Sequence, residues 1–210
     1  MIGDFTIKRA HESLIKKVIT LPNDRIASCS SDYTIKIWNS NPPYSDTPIK
    51  VLKGHRNSVT SLLYIKEKDI MISGSVETLR LWNISTYQCI TVIEGVQCYF
   101  NNSLYQIDKY RVIAGGTHNL FCIVNIDRCV IEKTIKDESL GYAYCFLKLR
   151  DNTTILCGCN KGIFCFYDMK TEQYITTKTN HNVFITDLLL INDNTFLSCS
   201  WDETIKVWKY

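Results

Sequence analysis

Two stretches at opposite ends of the chain are written in the same words. Ile26–Trp38 reads IASCSSDYTIKIW and Phe196–Trp208 reads FLSCSWDETIKVW. Ser28, Asp32, Thr34, Ile35, Lys36 and Trp38 stand at the same offsets as Ser198, Asp202, Thr204, Ile205, Lys206 and Trp208. Internal repetition of this kind constrains the fold strongly, because a short unit that cannot bury its own apolar face must stack on its neighbours. Within each copy, apolar and polar residues alternate. Ile205 and Val207 fall to one side, and Thr204, Lys206 and Trp208 to the other. A period of two predicts a strand. Phe196–Ser200 is a second apolar strand leading into a turn centred on Asp202, so each copy reads as a hairpin.

The third-strand pattern recurs between the two copies. IKIWN at Trp38 is followed by LRLWN at Trp82, FCIVNI at Val124 and FCFYD at Tyr167 before Trp208, at spacings of 44, 42, 43 and 41 residues. In the first unit, Ile15, Val18, Ile19 and Leu21 form one strand, Pro22-Asn23-Asp24 a turn and Ile26–Ser30 a second strand. Thr34–Trp38 is the third strand, and Pro48–Leu52 the fourth after a polar loop. Helical periodicity is absent. Four short strands per unit of this length predict an all-β chain, each unit one blade of a propeller.

At these residues the chain resembles the WD40 repeat family. That resemblance implies a buried hydrogen-bonded set of His, Ser, Asp and Trp in each well-formed blade. The first blade offers His11, Ser28, Asp32 and Trp38, and the fifth His181, Ser198, Asp202 and Trp208, with equal spacing. The second offers His55, Ser73 and Trp82, but its turn is one residue shorter and Val76 or Glu77 stands near the Asp position. Gln97, Ala114, His118 and Val124 in the third, and Leu140, Cys157, Lys161 and Tyr167 in the fourth, cannot build the set. The expected architecture is one WD40-like propeller domain over 1–210. Its blades span about 11–53, 54–95, 96–136 and 137–179, with the fifth at 180–210 plus residues 1–10. Asp4–Arg9, DFTIKR, resembles the fourth strands PIKVL and YITTK and is expected to complete the fifth blade, closing the ring at five. The alternative is an incomplete ring of seven, whose raw edge a second chain or a swapped copy could fill.

Composition sets the class of function. A net charge of +3 over 210 residues does not supply the concentrated basic face that nucleic acid requires. No apolar run is long enough to span a bilayer, and MIGDFTIKRAH lacks the apolar core of an export signal. Most of the ten cysteines lie in strand-like runs, where Cys serves as a small buried hydrophobe, so free thiols and a cytoplasmic or nuclear protein are expected. Cys157 and Cys159 alternate on one strand face and lack zinc-ligand spacing. No phosphate loop, nucleophile elbow or metalloprotease motif is present, so no catalytic residue, metal or cofactor is expected.

One pattern points to binding. The residues at the mouth of the first strand, three after the opening position in four blades and two after Leu140 in the fourth, are Leu14, Ser58, Phe100, Tyr142 and Phe184. Those before the turn Asp are Ser31, Ser75, Thr117, Asn160 and Trp201. The resemblance implies that both sets face one surface around a central channel. Leu14, Ser31, Phe100, Tyr142, Phe184 and Trp201 are therefore the expected partner-binding residues of a monomeric, non-enzymatic protein-interaction scaffold. The alternatives are a propeller enzyme using the channel, or a nucleic-acid or phosphoinositide binder.

Overall fold

The computed structural model describes residues 5–116 and 120–210. Antiparallel strands follow one another in five sheets. Sheet one is β1 (Ile15–Leu21), β2 (Arg25–Ser30), β3 (Ile35–Asn39) and β4 (Lys50–Leu52). Sheet two is β5 (Ser61–Ile65), β6 (Ile70–Gly74), β7 (Thr78–Asn83) and β8 (Cys89–Glu94). Sheet three is β9 (Leu104–Gln106), β10 (Arg111–Gly115), β11 (Phe121–Asn125) and β12 (Val130–Ile135). Sheet four is β13 (Ala143–Lys148), β14 (Thr154–Cys159), β15 (Ile163–Asp168) and β16 (Tyr174–Lys178). Sheet five has three strands, β17 (Ile185–Asn192), β18 (Thr195–Ser200) and β19 (Ile205–Lys209).

The turns explain why the strands stop where they do. Asn23 and Asp24 adopt φ of 58° and 54°, a left-handed conformation that short polar side chains tolerate, and reverse the chain between β1 and β2. Between β2 and β3 the Asp32 carboxylate accepts from the Thr34 amide and hydroxyl at 2.9 and 2.6 Å, which holds Tyr33 in the left-handed region. Asp202 and Thr204 repeat this between β18 and β19.

The core lies between sheets, as a propeller requires. Ala27, Cys29, Ile35 and Ile37 of sheet one meet Leu62, Met71 and Trp82 of sheet two. Ile72, Leu79 and Leu81 meet Val112 and Val124; Ile113, Phe121 and Ile123 meet Ile155 and Tyr167; Leu147, Leu156 and Phe164 meet Leu188 and Phe196. Each sheet thus has a leading face carrying the Trp-position side chain and a trailing face that receives the next sheet. Cys157 and Cys159 are part of this packing.

The trailing face of sheet five differs. Ile35 and Ile37 are 0% exposed in sheet one, whereas their repeat counterparts Ile205 and Val207 are 71% and 65% exposed. Closure by the N-terminal strand is corrected by the structure: among the described residues, 5–10 form no strand, and β19 pairs with β18 alone. The reason is local. The Phe5 ring stacks on Tyr44 of the β3–β4 loop at 4.9 Å, and Lys36 Nζ donates to the Ala10 carbonyl at 2.7 Å. Both contacts anchor the segment to sheet one. Among the described residues no helix is long and apolar enough to cross a membrane.

Candidate protein-binding face

The hydrogen-bonded sets fix the turns that carry the face. In sheet one, Trp38 Nε1 donates to Ser28 Oγ at 2.8 Å, and Ser28 lies 2.8 Å from His11 Nε2. His11 Nδ1 is 2.8 Å from Asp32 Oδ2. With the imidazole proton on Nδ1, each polar group has a partner of the opposite kind: indole to hydroxyl, hydroxyl to ring nitrogen, ring nitrogen to carboxylate. Burial opposes the Asp32 charge, but the Thr34 hydroxyl and amide, the Glu12 amide and His11 together hold its carboxyl down to about 2. Sheet five repeats the chain through Trp208, Ser198, His181 and Asp202 at 2.7, 2.7 and 2.8 Å.

Sheet two has half of this set. Trp82 Nε1 donates to Ser73 Oγ at 2.8 Å and Ser73 meets His55 Nε2 at 2.6 Å, but no carboxylate follows. His55 Nδ1 has the Thr78 hydroxyl at 3.4 Å instead. Burial, and then the nearby Arg80 charge, push the His55 imidazole down to about 4 from its ordinary 6.5. The sign follows directly. Below pH 6.5 the unfolded chain takes up a proton that folded His55 refuses until about pH 4. Stability should therefore fall across that window by about 3 kcal/mol. Urea unfolding at pH 7 and at pH 4.5 measures it, and His55→Gln should flatten the slope. An unchanged slope in that variant would reject the assignment.

The mouth positions are held by a repeated bond. The Ser31 amide donates to the Leu14 carbonyl at 2.9 Å, Asn160 to Tyr142 at 3.1 Å and Trp201 to Phe184 at 3.1 Å. Four of the expected binding residues form one aromatic row with Tyr144. Phe100 lies 6.2 Å from Tyr142 and 3.9 Å from Tyr144; Tyr144 lies 4.9 Å from Phe184, which meets Trp201 edge-on at 4.8 Å. Trp201 is 66% exposed at the end of the row. Exposed Leu14 and part-buried Ser31 stand on sheet one, outside the row, with Ser31 accepting from the Ser58 hydroxyl at 2.9 Å. Thr117 and His118 lie outside the described residues.

Beneath the row is a depression of about 290 Å³ lined by Lys16, Phe100, Asn102, Tyr144, Thr186 and Trp201 among others. Lys16, Asn102, Tyr144 and Thr186 each stand two residues after a mouth position. The alternation of a strand puts such residues on the same side, and that signal could have found Tyr144 from the sequence. Lys17 Nζ donates to Asn102 Oδ1 at 2.6 Å, and Asn102 Nδ2 reaches the Thr186 carbonyl at 3.5 Å, tying sheets one, three and five together. Burial lowers the Lys17 pKa despite the opposing charge of Asp187. Among the described residues no cluster of His, Cys, Asp and Glu is arranged to hold a metal ion.

Comparison with known proteins agrees with the geometry. The chain is 36% identical over 93 residues to nuclear distribution protein nudF of Aspergillus niger, covering 43% of this chain and 20% of that protein. It is 25% identical over 201 residues to mitochondrial division protein 1 of Candida glabrata, covering 89% and 25% respectively. With a WD repeat-containing protein 89 homolog of Dictyostelium discoideum it shares 22% identity over 181 residues, 77% of this chain and 47% of that protein. The chain thus spans less than half the length of these curated relatives. The family described as WD domain, G-beta repeat matches residues 5–39, 46–83 and 172–209, more than half of the sequence, and the chain belongs to that family.

Proposed function

We propose that this protein is a non-enzymatic interaction scaffold that presents the mouth of its propeller to a protein partner. The observation that carries the reading is the aromatic row ending in the exposed Trp201 ring. Large rings held on rigid strands bury much area at little entropic cost, and such residues dominate binding energy at interfaces. Phe184 meets the Trp201 ring edge-on and is itself backed by Tyr144, which supports Trp201 on one side. His11 and His181 are engaged on both ring nitrogens by Ser and Asp, which suits them to structure rather than proton transfer. All ten cysteines are free thiols, a state that fits a reducing compartment such as the cytoplasm.

The test is affinity capture from native extract with the wild-type chain and a Trp201→Ala/Phe184→Ala double variant of verified fold. Loss of a central anchor of this kind should weaken a bound partner by about 2 kcal/mol or more, roughly thirtyfold. The partners captured by the wild type should be lost from the variant. Equal capture by both chains would reject this face.

A further inference from the structure

Sheet two lacks the carboxylate of sheets one and five, yet keeps the groups that surround it. In sheet one, Asp32 accepts from His11 Nδ1, the Glu12 amide, and the Thr34 amide and hydroxyl. Asp202 is held by His181, Asn182 and Thr204 in the same manner. The corresponding residues of sheet two are His55, Arg56 and Thr78, but the turn from Ser75 to Thr78 is one residue shorter and places no carboxylate between them. A depression of about 120 Å³ opens there, lined by Arg56, Ser75, Thr78 and Arg80, with Glu77 and Glu94 also on its wall.

The arginines are uncommitted. Among the described residues no carboxylate lies within ion-pairing distance of Arg56 or Arg80. Arg80 Nε is buried without a hydrogen-bond partner, and one terminal nitrogen has a weak thiol contact, to Cys89 Sγ at 3.6 Å. In sheets one and five the same position is a lysine, Lys36 or Lys206, whose Nζ donates to the carbonyl of the residue before the His. Arg80 instead lays its guanidinium across Gly54, where a Cβ would come within 2.9 Å of Nη1. Gly54 thus makes room for a planar cation beside the vacated site. A buried guanidinium nitrogen left unpaired is costly unless something pairs with it.

We propose that this depression binds a carboxylate group, which takes the place there that Asp32 and Asp202 fill in sheets one and five. A planar carboxylate matches both the template of the sister sheets and the fork of an arginine. It is supplied either by an acidic side chain of a protein partner or by a free small acid. The site does not depend on the aromatic row: Ser75, whose amide donates to the Thr78 carbonyl, is the sheet-two counterpart of Ser30 and Ser200, one position before the mouth residues.

The experiment follows the His55 ring by NMR in the intact chain, whose charged surroundings are Arg56, Glu77, Arg80 and Glu94. One arm titrates acetate against chloride at equal ionic strength; the other titrates a capped Gly-Asp-Gly tripeptide against capped Gly-Gly-Gly. The expected result is a saturable His55 shift with a carboxylate probe and none with its control, together with an upward move of the His55 protonation midpoint. Saturation at lower concentration by the tripeptide assigns a protein-borne carboxylate, and saturation by acetate alone assigns a small acid. Arg80→Gln should weaken either by about tenfold or more, and Thr78→Val provides a second variant should the first not fold. An unmoved His55 ring in both arms overturns the proposal, as does an equal shift with chloride. So does acetate binding that emerges solely in Glu77→Gln, which would show that the chain fills the site itself.

Discussion

Trp38→Ala should lower the free energy of unfolding by about 3–5 kcal/mol, read from urea denaturation. The indole is 3% exposed. His11 meets it at 6.4 Å near a right angle, and Lys36 Nζ sits 6.0 Å from its ring centre. Removing the ring opens a void on this face and takes away the donor to Ser28, whose hydroxyl also serves His11. Trp38→Phe separates the two losses. It keeps much of the ring and removes the N–H, so its excess cost over the packing change should be about 1 kcal/mol. Trp208→Ala should cost less than Trp38→Ala. Trp208 is half-buried, with one side against Phe164 at 5.1 Å, and part of its surface is already in solvent. Equal losses at the two tryptophans would contradict the different burial of the two sets.

Ile35→Ala and Ile205→Ala make the second large contrast. The residues hold the same place in the repeat, on the trailing side of the third strand. Ile35 is fully buried against sheet two, and truncation should cost about 2–5 kcal/mol through lost transfer energy and the cavity left behind. Ile205, 71% exposed, should change stability by no more than about 0.5 kcal/mol. Side-by-side denaturant curves decide it. A large loss at Ile205 would mean that its face is covered in solution, contrary to the structure.

The repeat was legible because each blade writes its third strand with one large side chain at a fixed place. Trp82, Val124, Tyr167 and Trp208 all fall on leading faces, and alternation along β3 puts Trp38 on the face opposite Ile35 and Ile37. The hydrogen-bonded sets of sheets one and five were legible for a related reason: a buried carboxylate needs specific partners, and their spacing recurs. Tyr144 was not singled out, since its role comes from rings on three different sheets meeting near the channel. Nor was the course of the N-terminal segment. DFTIKR alternates as a strand would, but alternation does not say which edge a strand will join. Its place is set by Phe5 on Tyr44, two residues outside any strand and without periodicity between them. The shortened turn before Thr78 could be read as a deletion, whereas the guanidinium beside the resulting gap required coordinates.

The uncovered side of sheet five also bears on how such a chain changes over generations. Ile205 and Val207 offer the same chemistry that Ile35 and Ile37 offer at an occupied junction. A duplicated unit docked there would find a ready-made seat, and none of the earlier junctions would need rebuilding. A unit inserted between two existing sheets would instead have to match a leading and a trailing face at once.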